Sequence, residues 1–322
     1  MKFFLTCVIG LISASYAWQV SDANTIMTIM KISPVVYKNR TLSAPIPVPD
    51  RTKLINYHSV YQVKKGDDVQ VKSYQISEKA KGDFAKAEKA FGNRQLEEAR
   101  TLYKKALLAD PGYVPMMDYV AQSFGMERKF QEAELWYKKA IEQNYIDNLA
   151  HWMLADIYML TNRKELALDE ITIAKILNRN NPRLEKKFKE VYAANGLDTT
   201  SYTFNPQVQI FKTPLAVTVE ADSVWLMYGL AKANWENEPD YSKGKTDYDK
   251  GMELLLAHDS YVRGRGMDEK LVKRMDMAME KRLLEELFFY EIVLLDHPER
   301  ALYQSKENLQ RLKEYVIESR RK

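Results

Sequence analysis

Residues 80–181 fall into three lines of 34: AKGDFAKAEKAFGNRQLEEARTLYKKALLADPGY (80–113), VPMMDYVAQSFGMERKFQEAELWYKKAIEQNYID (114–147) and NLAHWMLADIYMLTNRKELALDEITIAKILNRNN (148–181). Set one under another, they align three columns of alanine: Ala87, Ala121 and Ala155; Ala99, Ala133 and Ala167; Ala106, Ala140 and Ala174. A methyl group lets two helix backbones approach where a larger side chain would hold them apart, so each column marks a close crossing of two helices. Larger residues fill most other layers in step, as with Ala90, Phe124 and Tyr158, then Leu96, Phe130 and Lys164, then Tyr103, Tyr137 and Ile171. Asp110 and Pro111 stop the first line, and Asn181 and Pro182 stop the third a few residues late. A period of 34 built from two helices per unit predicts a helical solenoid. Such solenoids present a surface to another macromolecule, which makes binding the first functional expectation.

These columns resemble the tetratricopeptide repeat family, whose pattern has small residues at repeat positions 8, 20 and 27, aromatics near 11, 17 and 24, and proline at 32. All nine small positions match. The departures are Tyr145 for the second proline, Lys164 for the third aromatic at position 17, and alanine rather than glycine at position 8 throughout. Pro182 to Gly196 keeps the register, with Lys189 at a small position, and is expected to be a capping helix with one solvated face.

The resemblance implies a concave groove lined by helix A at positions 2, 5, 9, 12 and 13. In this chain these are Lys81, Phe84, Glu88, Phe91 and Gly92; then Pro115, Asp118, Gln122, Gly125 and Met126; then Leu149, Trp152, Asp156, Met159 and Leu160. The Lys and Asn clamp with which part of the family grips a carboxylate terminus is missing. Apolar anchors with scattered acids suit an extended or helical peptide, with Phe84, Phe91 and Trp152 as anchor candidates. A second possibility is that the leader or the C-terminal domain fills the groove.

Residues 1–17 read as a secretory signal: Lys2, the short apolar run Phe3–Ile12, and a small-x-small exit at Ser15 and Ala17. The only cysteine, Cys7, lies inside it, so the chain after Ala17 has no thiol for disulfides and must be stabilised by apolar burial. That combination suits a periplasmic or secreted protein. No later apolar run approaches the length of a membrane helix, since Leu287–Leu295 is short and carries Glu291. The formal net charge of +4 in 322 residues is spread with both signs interspersed, which gives no reason to expect nucleic acid as a partner.

Residues 18–76 carry Pro34, Pro45, Pro47 and Pro49 and the alternating runs Ser59–Val63 and Val69–Tyr74 around Gly66, reading as an extended or partly disordered leader with a hairpin. Asn39, Arg40 and Thr41 form a glycosylation triplet of a kind common by chance. Beyond Gly196, Ser201–Ala221 alternates as two short strands, expected to pair with the hairpin near Gly66. A helix from Asp222 to Pro239, a polar loop to Tyr248 and helices over Tyr248–Val262, Asp268–Leu295 and Pro298–Arg320 complete the chain. The expected organisation is a signal at 1–17, a leader at 18–76, a repeat array at 77–196 and a mainly helical C-terminal domain at 197–322. The fold class is mainly α.

Catalytic signatures are weak. The four histidines form no H-E-x-x-H pair, and the Gly244–Lys245–Thr246 triplet lacks the first glycine of a phosphate loop. No catalytic residue, metal or cofactor is assigned. Glu236, Glu238 and Glu291 lie among aromatics and could do acid–base chemistry; ion pairs with Lys232, Lys281 or Arg282 would explain them equally. The favoured function is therefore an exported protein- or peptide-binding scaffold. The alternatives are an enzyme with a carboxylate site in the C-terminal domain, or a secreted factor that binds a host or competitor protein.

Overall fold

The computed structural model describes residues 23–51, 59–66 and 68–321. The expected signal at 1–17 lies outside the described residues. In chain order the elements are α1 (Ala23–Ile32), β1 (Val36–Thr41), β2 (Val60–Lys65), β3 (Asp68–Ser73), α2 (Glu78–Gly92), α3 (Leu96–Ala109), α4 (Pro115–Met126) and α5 (Phe130–Gln143). They continue with α6 (Asn148–Leu160), α7 (Lys164–Leu177), α8 (Pro182–Ala194), β4 (Val208–Lys212), β5 (Ala216–Ala221), α9 (Leu226–Asn237), α10 (Pro239–Ser242) and α11 (Asp247–Arg263). The last are α12 (Glu269–Glu280), α13 (Leu284–Phe288), α14 (Leu294–Asp296) and α15 (Lys306–Glu318). The fold is mainly helical. The described residues form two compact units, one from residues 51–200 with 293–321, the other from residues 23–50 with 201–292.

In the first unit, α2–α3, α4–α5 and α6–α7 are three helical hairpins of tetratricopeptide type. All nine column alanines are fully buried, as the close-crossing argument requires. Each hairpin turns through one residue in the left-handed region, at Arg94, Arg128 and Asn162, with φ of 59°, 60° and 57°. The next residue's N–H reaches back five residues: Gln95 to the Ala90 carbonyl at 2.9 Å, Lys129 to Phe124 at 3.0 Å and Arg163 to Tyr158 at 2.8 Å. This is the Schellman arrangement, which satisfies carbonyls left open at the end of helix A. α8 buries Leu184, Phe188, Val191 and Tyr192 and ends in the same turn at Gly196, with no second helix after it. Lys189 on α8 pairs with Glu185 at 3.3 Å.

The expected hairpin is present as β2 and β3, antiparallel, with Val60 opposite Ser73 and Lys65 opposite Asp68. Asn144 donates to the Val60 carbonyl at 2.8 Å, and the Tyr74 ring lies between Tyr61 and Tyr113. The first unit differs from the expected boundary at residue 197, because the C-terminal segment belongs to it. α15 buries Leu309, Leu312, Tyr315 and Val316 and packs on α7, which is itself buried around its C-terminal half. Lys313 meets Asp169 at 3.2 Å, and the Arg320 guanidinium lies over the Phe188 ring. An amphipathic helix must cover its apolar face, and local sequence does not specify which partner covers it.

The second unit is built on a three-stranded sheet of order β1-β5-β4, with β1 parallel and β4 antiparallel to β5. Along β5, Val217, Val219 and Ala221 point inward and pack with Ile26, Met227, Leu230, Ala231, Trp235, Leu254 and Ala257. Gly229 of α9 has to be glycine: a Cβ there would stand 2.7 Å from Val219 Cγ1 and 2.9 Å from Val208 Cγ1. The two strands expected after Ser201 are present as β4 and β5 and pair with each other, but the partner expected for them is wrong. The leader supplies Val36–Thr41, not the hairpin near Gly66, and the glycosylation triplet Asn39–Thr41 lies in that strand. The helix expected over Asp268–Leu295 is broken. Arg282 takes φ 57°, Leu283 N–H bonds the Ala278 carbonyl at 2.7 Å, and the chain turns from α12 into α13 by the same device as the repeats. Phe289–Val293 forms a π-helical turn, and the loop at 237–248 contains the single turn α10.

Candidate functional site

The groove positions divide into three groups. In repeat one, Phe84 and Phe91 lie one helical turn to either side of Glu88 on α2, and their rings engage Tyr103, Tyr113 and Tyr119 at 5.6 to 6.4 Å. Tyr103 and Tyr119 stack at 5.2 Å with nearly parallel planes, and Glu88 accepts the Tyr103 hydroxyl. The two phenylalanines are thus half-buried parts of the packing between α2, α3 and α4. Lys81 remains exposed and pairs with Glu78 at 3.0 Å, and Gly92 is also exposed.

In repeat two, Gln122 and Met126 are exposed, with Pro115 and Gly125 half-buried. Asp118, expected on the groove, is buried instead. It lies beside Asp147, which caps α6 by accepting from Leu149 N–H at 3.0 Å and Ala150 N–H at 3.2 Å. Burial, then the Asp147 charge, holds the Asp118 carboxyl well above the usual range, and Asp118 hydrogen-bonds Asp147. Asp147 is raised by burial, which the Ala150 N–H, Asp118 and His151 partly offset. The pair shares a proton as two buried carboxyls must. His151 is buried close by, with Nδ1 2.5 Å from Glu170 Oε2 and Nε2 3.0 Å from the Tyr145 carbonyl. The pairing of Asp147 with Asp118 has no local sequence signal.

In repeat three, α6 presents Leu149, Trp152, Met159 and Leu160. Leu149 and Leu160 are exposed, Leu160 by 65%, and Trp152 and Met159 are half-exposed. Asp156 stands on the same helix and is reached by Lys187 of α8 at 3.0 Å. The Trp152 indole nitrogen is buried without an acceptor. With Met126, these residues leave an apolar strip uncovered along the helix-A rows of repeats two and three.

The acids singled out in the second unit are engaged. Glu236 meets Lys250 at 3.6 Å and Lys232 at 4.0 Å. Glu238 accepts from the Tyr37 hydroxyl at 2.6 Å and the Ser33 hydroxyl at 2.7 Å. Glu291 is buried and lies 3.5 Å from Arg274 Nε. The Arg274 guanidinium lies over the Tyr202 ring at 4.6 Å. His258, fully buried, stacks on Trp225 at 4.1 Å, with Nε2 3.8 Å from Asp268 Oδ2. Burial raises the Tyr202 phenol, with Asp268 and Glu291 adding to it. Burial would also raise Asp268, but the His258 imidazole 3.8 Å away and the Leu271 N–H, which donates to Asp268 Oδ1 at 3.2 Å, outweigh it and leave the carboxyl below its ordinary value. The result is a buried and half-buried cluster of Tyr202, His258, Asp268, Arg274 and Glu291, which sequence reading missed because its members come from four separate segments. Among the described residues no three His, Cys, Asp or Glu side chains gather to hold a metal ion, and no helix is long and apolar enough to cross a membrane.

No family model matches the chain, and no curated protein matches it. Among solved structures it is similar to the first TPR of Spaghetti (RPAP3) bound to an HSP90 peptide, at 22% identity over 37% of this chain and 95% of that one, with a TM-score of 0.36. It is similar to MamA at 19% identity over 67% of this chain and 97% of that one, TM-score 0.34. The third is YrrB, described as a TPR protein with an unusual peptide-binding site, at 16% identity over 69% and 92% of the two chains, TM-score 0.34. Each likeness concerns the helical repeat fold.

Proposed function

We propose that this protein is an exported peptide- or protein-binding scaffold of the periplasm or cell envelope, and that its binding surface is the helix-A face of repeats two and three. The observation that carries this reading is the uncovered apolar strip of Met126, Leu149, Trp152, Met159 and Leu160. A leucine buried by a ligand contributes about 1.5 to 3 kcal/mol, so two or three such anchors give useful affinity without any charge clamp. Gln122 beside the strip offers a side-chain amide to a peptide backbone, the usual way an extended or helical ligand is fixed in register. Export rests on the signal-like pattern at residues 1–17 and on the absence of cysteine after it.

The test is affinity capture from an envelope fraction by the native chain and by a Leu149→Asp, Leu160→Asp variant with unchanged far-UV circular dichroism. Both side chains are exposed, so the substitutions should leave the fold intact. The proposal expects a partner bound at least about tenfold more weakly by the variant, a loss of 1.4 kcal/mol or more. Equal recovery by the two proteins would remove the groove from consideration.

A further inference from the structure

One end of the second unit's sheet carries exposed apolar side chains that the groove does not explain. The β4–β5 connection is a tight turn pinned at its base: Thr213 N–H bonds the Ala216 carbonyl at 2.8 Å, and the Thr213 hydroxyl exchanges bonds of 3.1 Å with the Ala216 N–H and carbonyl. Pro214 restricts the backbone inside it. Leu215 at its tip is 79% exposed, and its carbonyl accepts from Val36 N–H at 3.1 Å, which sets the start of β1 beside the tip. Val36 and Phe211 are exposed on the sheet face turned away from α9: Val36 lies opposite Ala216 and Phe211 opposite Thr218, whereas the inward row is Val217 and Val219. Ile32, four residues before Val36 at the end of α1, is 78% exposed.

The charges around this tip are mostly positive. Lys31 ends α1, Lys38 lies in the row of Thr218 and Phe211, and Lys212 immediately precedes the turn. Two acids come near this face: Glu220, in the outward row of β5, lies opposite Arg40, and Glu238 accepts the hydroxyls of Ser33 and Tyr37. Four apolar side chains on a rigid projecting turn are too few for a stable dimer, which needs roughly 800 Å² from each partner. They suit a bilayer, which requires no matching shape and rewards a small apolar wedge ringed by cations.

We infer that the tip formed by Ile32, Val36, Phe211 and Leu215, with Lys31, Lys38 and Lys212 around it, docks the protein onto an anionic phospholipid surface. The apolar side chains enter the interface and the ammonium groups meet lipid phosphates. This inference does not depend on the peptide groove.

The experiment is co-sedimentation of the purified protein with vesicles of phosphatidylcholine alone and of phosphatidylcholine and phosphatidylglycerol in equal parts. Binding is expected to the anionic vesicles, about tenfold weaker to the neutral ones, and reduced by salt. A Phe211→Ser, Leu215→Ser variant and, separately, a Lys38→Glu, Lys212→Glu variant should each lose about tenfold. The charge-reversal pair leaves every apolar contact in place, so it still tests the inference if the serine variant folds poorly. No sedimentation with either vesicle, or equal binding by wild type and both variants, would overturn the assignment. So would a lipid-independent dimer that the serine variant dissociates, which would make the tip a self-interface.

Discussion

Asp118→Asn should change the pH dependence of stability in a direction that the structure determines. In the folded protein Asp118 and Asp147 are buried together, and Asp118 keeps its proton above the ordinary carboxylate value of 3.8. The unfolded chain releases that proton near the ordinary value. Above it, the folded state therefore binds more protons than the unfolded one. The contribution is fully present below pH 3.8 and is lost as pH rises through the raised folded pKa. One retained proton gives a slope of about 1.4 kcal/mol per pH unit, so the ceiling on the loss between pH ~4 and pH ~7 is about 4 kcal/mol. Asparagine keeps the shape, is neutral at every pH, and can donate to the Asp147 carboxylate. The variant is expected to be about 1 to 3 kcal/mol more stable than wild type at neutral pH, with little or no gain near pH ~4. Urea titrations followed by far-UV circular dichroism across this range read the difference between the two proteins directly. A wild-type minus variant difference that is flat with pH, or a variant weakened more at neutral than at acid pH, would refute the shared-proton account.

Gly229→Ala and Gly251→Ala should each destabilise by about 1 to 3 kcal/mol in urea melts despite better helix propensity, because the new methyl would meet Val219 at 2.7 Å or the Phe288 ring at 2.3 Å; melting midpoints at or above wild type would contradict the packing. Arg94→Gly and Arg128→Gly, at φ 59° and 60°, should each stabilise by about 0.5 to 1 kcal/mol and add when combined, and a loss of stability in either would mean that the arginine side chain outweighs its backbone strain.

The repeat array was legible because its signal is steric and periodic: nine methyl groups at fixed spacing leave few alternatives, and all nine are buried. The turns were harder to see, since Arg94 and Arg128 occupy a left-handed position that glycine or asparagine would have advertised. The same turn at Arg282 escaped the register because it lies 120 residues after Asn162, which is not a multiple of 34. β1 escaped because it is an edge strand with polar Lys38, Asn39 and Arg40, and its partner β5 lies far along the chain with no connecting turn to give it away. Among the groove positions, the family pattern located the strip of α6. It also placed Asp118 on the surface, where the neighbouring carboxyl of Asp147 and the surrounding side chains leave no accessible carboxylate.

The central claim is that the helix-A face of repeats two and three holds a peptide, and site-directed photo-crosslinking tests it most directly. A photoreactive residue would replace Leu160 on α6 in one protein and Leu135 on α5 in another, both being exposed leucines of the array, one on a helix A and one on a helix B. The account predicts a discrete adduct in the envelope fraction from position 160, lost when Leu149→Asp is added, and none from position 135. Adducts from position 135 alone, or equally from both, would contradict it.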